Sequence, residues 1–253
     1  LKALFSAGKI CSIIDGGENK PYMAETETPP VQRYHSLLFR LTLWIVTFAF
    51  LLLTFLVYTV GSFSFDLQVT HALQSINFPG FAGWMAMISW VGYDPQSIVI
   101  AGLIGLALYY FNYLWETVIA WGAAFFSSLS NLLIKELIHR PRPASDLVRI
   151  AQNLDSYSFP SGHVMFYTIF FGFIFFLGFT LLKPSWKRTL LLLTLGSLIL
   201  LVGISRIYLG EHWVSDVIGG YLLSIPMLAG SIWIYRHPNK EIVLFLASIA
   251  NQK

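Results

Sequence analysis

The chain has 253 residues, of which 56% are hydrophobic and only 11% charged. A soluble domain carries about 25% charged residues, so this composition describes a membrane protein. A net charge of +3 is too mild for a nucleic-acid partner, and the lone Cys11 excludes an intramolecular disulfide and any Cys-rich metal site.

In chain order, residue 1 is Leu, and Met23 opens a polar stretch. Residues 1–22 therefore read as a tag remnant or misassigned extension, without the apolar region of a signal peptide. Residues 24–36, with Pro29 and Pro30, read as a flexible tail, which makes 1–36 an N-terminal tail. Six apolar segments follow, at 41–60, 97–115, 117–134, 164–182, 189–204 and 213–235, each read as a membrane span. Together they predict an all-α, six-span bundle over 37–236, followed by a short tail over 237–253. Between the first two spans, 62–96 is mixed. Its apolar piece 81–91 is too short to cross and is expected in the interface or packed on the bundle. Asn112 and Glu116 mark a tight turn, and the small residues of 117–134 suit a buried span.

Six spans put both termini on one side. That side and the 183–188 loop would carry 11 Lys and Arg against 5 on the other, or 8 against 5 without residues 1–22. The termini are thus expected in the cytosol. The five on the disfavoured side are Lys135, Arg140, Arg142, Arg149 and Arg206, and an anionic ligand is the simplest reason to keep them there.

Three polar clusters edge the apolar runs, and the topology brings them to one end of the bundle. Lys135 alone reads as a snorkelling helix-end anchor. Arg142, however, lies between Pro141 and Pro143, which hold it on a stiff non-helical segment suited to a bidentate phosphate contact. Arg140 and Arg149 lack such support and read as surface or lipid-headgroup contacts. Pro160-Ser161-Gly162-His163 reads as a helix start. Ser161 can cap it, Gly162 permits close backbone approach, and the unpaired amides favour an anion. An ordinary cap explains Ser161 and Gly162 but leaves His163 unexplained. His212 and Asp216 are four apart, so one helix face can carry both. Asp216 can then accept from one imidazole nitrogen and leave the other free as nucleophile or base. Seen alone, that pair is also an ordinary satisfied polar pair. A metal triad of His163, His212 and Asp216 is an alternative, but Lys135, Arg142 and Arg206 would repel a cation there.

These clusters resemble the signature of the type 2 phosphatidic acid phosphatase superfamily. It reads Lys135 to Arg142-Pro143, then Pro160-Ser161-Gly162-His163, then Ser205-Arg206 to His212 to Asp216, with no position departing. The resemblance implies a metal-independent phosphatase of membrane lipid phosphates in the plasma membrane, with no cofactor and an extracytoplasmic site. In it His212 attacks phosphorus to give a phosphohistidine, Asp216 orients His212, and His163 protonates the leaving group. Lys135, Arg142, Ser161, Gly162 and Arg206 hold the phosphoryl oxygens. Undecaprenyl diphosphate, phosphatidylglycerol phosphate and phosphatidate are the substrate candidates, with undecaprenyl diphosphate first. A lipid phosphotransferase using the same site, or a non-catalytic lipid-binding protein, are the alternatives.

Overall fold

A computed structural model describes residues 30–238, and the expectations for 1–29 and 239–253 lie outside the described residues. Among the described residues there are helices and no strands. They are α1 (Pro30–Val60), α2 (Ser64–Gln74), α3 (Phe81–Trp90), α4 (Gln96–Tyr110), α5 (Leu114–Ile138), α6 (Gly162–Leu181), α7 (Trp186–Tyr208) and α8 (Val214–Arg236). The helix already begins at Pro30, inside the stretch read as a flexible tail. Proline is accepted there because the first turn has no partner for its missing N–H.

Among the described residues, five helices are long and apolar enough to cross a bilayer: Leu37–Val60 within α1, and α5, α6, α7 and α8. The segment expected as the second span is a 15-residue helix, α4, which ends at Tyr110. At 1.5 Å per residue it covers about 22 Å, short of the roughly 30 Å hydrocarbon core. Asn112 takes a left-handed φ of 63° in the turn that follows, and α5 starts two residues later. The mixed stretch 62–96 folds into α2 and α3, and α3 packs along α7.

Contacts divide the chain between Leu41 and Thr42. Up to Leu41 the described residues are the opening turns of α1. Within the unit that starts at Thr42, α6 is central. It buries 67% of its apolar window, against 28%, 33% and 22% for α5, α7 and α8. Tyr167, Ile169, Phe170 and Phe173 are fully buried there, and Phe166 stacks on Phe170 at 5.3 Å. The outer helices turn large apolar side chains outward, among them Trp44, Phe48, Phe125 and Leu200. That pattern is the reverse of a soluble fold and suits lipid contact. Ser185 caps α7 by accepting from the Arg188 amide at 3.2 Å, after Pro184 has closed α6. The α7–α8 turn passes through Gly210 at φ 68°. A side chain there would meet the Arg149 carbonyl at 2.0 Å, so glycine is required on both counts.

Candidate active site

The polar groups gather where α5 and α7 end and α6 and α8 begin. Hydrogen bonds tie these ends together. Ser161 N donates to Asp216 O at 3.1 Å, Asn131 Nδ2 to Pro160 O at 2.9 Å, and Arg142 Nη1 to Glu211 O at 2.5 Å. All eight positions expected from the sequence meet at this end.

His212 lies in the turn before α8 and is 1% exposed. Its Nδ1 is 3.4 Å from Asp216 Oδ2, and its Nε2 is 3.3 Å from Arg142 Nη1. A guanidinium only donates, so Nε2 must present a lone pair and Nδ1 must carry the hydrogen that faces Asp216. Burial pushes the His212 imidazole well below its usual pKa, and the charges of Arg142, Arg206 and Lys135 push it the same way. A neutral ring with an unprotonated Nε2 has the chemistry of a nucleophile at neutral pH.

Asp216 is fully buried and heavily bonded. Its Oδ2 accepts from Trp213 N at 2.8 Å and from the Ser158 hydroxyl, while its Oδ1 pairs with Arg140 Nη1 at 2.5 Å. Arg140 is therefore no surface group: it is 2% exposed and forms a second ion pair, with Asp66 Oδ2, at 2.9 Å. The sequence shows two arginines two apart in a proline-rich segment, and only the fold shows which one turns inward. Arg149 is exposed, as expected, but its amide and guanidinium both bond to Gln74.

Arg142 is held by protein carbonyls. Besides Glu211 O, its Nε donates to Ser156 O at 2.7 Å and its Nη2 to Ser156 Oγ at 2.9 Å. Burial and the neighbouring Arg206 bring its pKa down to about 10, which leaves it charged at neutral pH. Lys135, in the last turn of α5, reaches Ser156 Oγ at 3.5 Å. Arg206 is fully buried. It donates to Ser89 Oγ at 2.5 Å and to Tyr93 OH at 2.9 Å, and it forms an ion pair with Glu211. Tyr93 in turn donates to Glu211 Oε1 at 2.5 Å, and burial raises its phenol pKa above the usual value. Arg206 Nε has no partner.

Ser161 occupies the N-cap position of α6, but its side chain makes no capping bond, contrary to the sequence reading. Its buried Oγ is unpartnered, as is His163 Nε2. A buried polar atom without a partner is costly, and a bound group that satisfies it is the usual explanation. His163 lies edge-on to Tyr93 at 4.6 Å and presses on the backbone of Gly92, where a Cβ would approach the ring to 2.4 Å. The close approach at Gly162 is to Asn131 Oδ1, 2.9 Å from where a Cβ would sit. Among the described residues no group of three or more His, Cys, Asp or Glu side chains is arranged to hold a metal.

Sequence reasoning missed Asp66, Ser89, Tyr93, Arg140, Ser158 and Glu211. Nothing in their spacing singled these residues out in the sequence.

A membrane-spanning helical fold with cations and two histidines at one end defines a class of phosphate-handling membrane proteins. The comparisons agree and narrow it. The PAP2 superfamily matches residues 116–240. Phosphatidylglycerophosphatase B of Bacillus subtilis (strain 168) is 30% identical over 177 residues, covering 70% of this chain and 86% of that protein. The chain therefore belongs to the PAP2 superfamily and is a multi-pass membrane phosphatase of its lipid-phosphatase group. The crystal structure of the transmembrane PAP2-type phosphatidylglycerolphosphate phosphatase from Bacillus subtilis superposes with a TM-score of 0.69 at 26% identity. It covers 78% of this chain and 97% of that one. Aquifex aeolicus LpxE shares the fold with a TM-score of 0.55 at 20% identity, over 68% of this chain and 98% of that one.

Proposed function

We propose that the protein hydrolyses a membrane lipid phosphate through a phosphohistidine on His212, without a metal. The observation that carries this reading is the position of His212 Nε2, 3.3 Å from Arg142 Nη1 and within the field of Lys135 and Arg206. His212 Nε2 attacks phosphorus and the bond to the lipid oxygen breaks. His163 gives its proton to the departing oxygen. Asp216 holds the Nδ1 hydrogen and balances the charge that develops on the ring. Water then attacks the phosphohistidine, His163 takes a proton from that water, and the N–P bond breaks to release phosphate. Lys135, Arg142, the free Arg206 Nε, the free Ser161 hydroxyl and the first amides of α6 stabilise the equatorial oxygens.

Phosphatidylglycerol phosphate is the substrate of choice, on the likeness to the Bacillus phosphatases; it displaces undecaprenyl diphosphate from first place. With α4 taken as the sixth crossing, from Gln96 near Tyr93 at the site to the turn before α5, both termini share a side, and the excess of Lys and Arg there favours cytosolic termini and an extracytoplasmic site.

The test is phosphate release in detergent with excess chelator. Phosphatidylglycerol phosphate, undecaprenyl diphosphate, phosphatidate and a soluble ester are offered, with His212→Ala beside wild type. Release that survives chelation, is lost in the variant and is fastest on phosphatidylglycerol phosphate is expected. Activity abolished by chelation would overturn the metal-free mechanism. Phosphate passed to an added acceptor in place of water would make the protein a phosphotransferase.

A further inference from the structure

We propose that Asp66, acting through Arg140 and Ser215, is a positioning residue for the His212 reaction, held in place from α2. The inference rests on the reading of His212 given above.

Asp66 is 149 residues before Ser215 in sequence, yet it bonds the start of α8 directly. Its Oδ1 accepts from Ser215 N at 2.8 Å, and Ser215 Oγ lies 2.9 and 2.8 Å from its two oxygens. The N-cap of α8 is Trp213, whose side chain has no oxygen to accept from the helix amides. Asp66 thus serves as the cap, borrowed from another helix, and it meets the positive end of the α8 dipole. His212 is the residue just before that cap. The position of its ring depends on how α8 begins, and Asp66 pins that beginning.

Charge makes a second argument. Arg140 bridges Asp66 and Asp216 and is anchored by Gly61 O, which accepts from its Nε at 2.9 Å. Asp66, Asp216 and Ser215 are fully buried and Arg140 nearly so. One guanidinium is shared by two carboxylates, so the cluster keeps a net negative charge beside His212. With Asp66 neutral, Arg140 would pair with Asp216 alone and cancel the charge that must balance the His212 ring as phosphorus bonds to it. Asp66 lies outside residues 116–240, which carry the family match.

The full chain in detergent tests this with Asp66→Asn, an isostere that keeps an acceptor for Ser215 and loses the charge. Phosphatidylglycerol phosphate hydrolysis should lose roughly 10- to 100-fold in kcat, less than removal of the orienting carboxylate itself. KM and the inhibition constant of inorganic phosphate should stay within about twofold, since the phosphate-binding cations are untouched. In the double variant with Asp216→Asn, the second loss should nearly vanish, because both act through one carboxylate. A kcat for Asp66→Asn within about threefold of wild type overturns the proposal. So does weakened phosphate inhibition equal to the kcat loss, and so do losses that multiply in the double variant. If Asp66→Asn does not yield a monodisperse protein, Ser215→Ala decides. It removes the bridging hydroxyl and leaves both charges, and it should show a smaller kcat loss with the same unchanged phosphate inhibition. Wild-type turnover in Ser215→Ala overturns the proposal. A wild-type protein that releases no phosphate overturns the His212 reading, and this inference with it.

Discussion

The four long helices α5 to α8 and the short stretch 61–95 build one cluster in different ways. The long helices and the turns between them bring the groups that would touch phosphate: Lys135, Arg142, Ser161, His163, Arg206 and His212. The short stretch brings none of these. It brings their supports: Asp66 on Arg140 and Ser215, Ser89 and Tyr93 on Arg206, and Gly92 against the His163 ring. Reacting groups need fixed spacing along a few helices, so they leave a motif. A support needs only to arrive from any direction with the right atom, so it leaves none.

Substitutions can break or sharpen this contrast. The largest effect belongs to the reacting side: His212→Ala should cost roughly 10⁴-fold or more in kcat, measured as phosphate release. Asp216→Asn should follow at on the order of 10³-fold, with a phosphohistidine that forms slowly in alkali-quenched, radiolabelled protein. On the supporting side, Gly92→Ala forces a methyl into the His163 ring and should cost about 100-fold in kcat with KM little changed. Tyr93→Phe keeps the ring against His163 and removes the hydroxyl between Arg206 and Glu211, so about tenfold is expected. If Gly92→Ala and Tyr93→Phe both left kcat unchanged, the supporting role of this stretch would be refuted.

The pH dependence sharpens the same picture. Protonation of His212 removes its attacking lone pair, so the rate must fall as pH drops through the His212 pKa. That pKa is pushed down by burial, then by Arg142, Arg206 and Lys135. The acidic limb of kcat/KM should therefore lie below the ordinary histidine value of about 6.5. Arg142→Gln removes one of those charges and should move the limb to higher pH. A limb that stays in place would show that Arg142 does not help to set it. Arg188→Ala, in the first turn of α7 and far from the site, should change kcat less than about twofold.

Much of this was legible in the sequence. Long uncharged runs located five helices of spanning length, and the three motifs placed every expected site residue at one end. Three things were hidden. Asn112 marked the turn, but apolar composition ran on past Tyr110 to Trp115, so the sequence placed the end of α4 about five residues late. Nor could it show which of Arg140 and Arg142 turns inward, because the deciding partner, Asp66, is 74 residues away from Arg140. Ser161 was legible as the residue before a helix. That its hydroxyl stays unbonded was not, since a capping serine and a ligand-facing serine have the same neighbours in sequence.

The bond between Asp66 and the start of α8 also bears on how the protein is made. α2 leaves the ribosome early, and α8 is the last of the described spanning helices to follow. Until α8 is in place, Asp66 has no Ser215 to hold, Arg140 has no Asp216, and His212 has no partner for Nδ1. The proposed catalytic centre therefore closes only when α8 joins the others. A chain stopped short of α8 would carry its cations and His163 to the membrane without the means to cut a lipid phosphate.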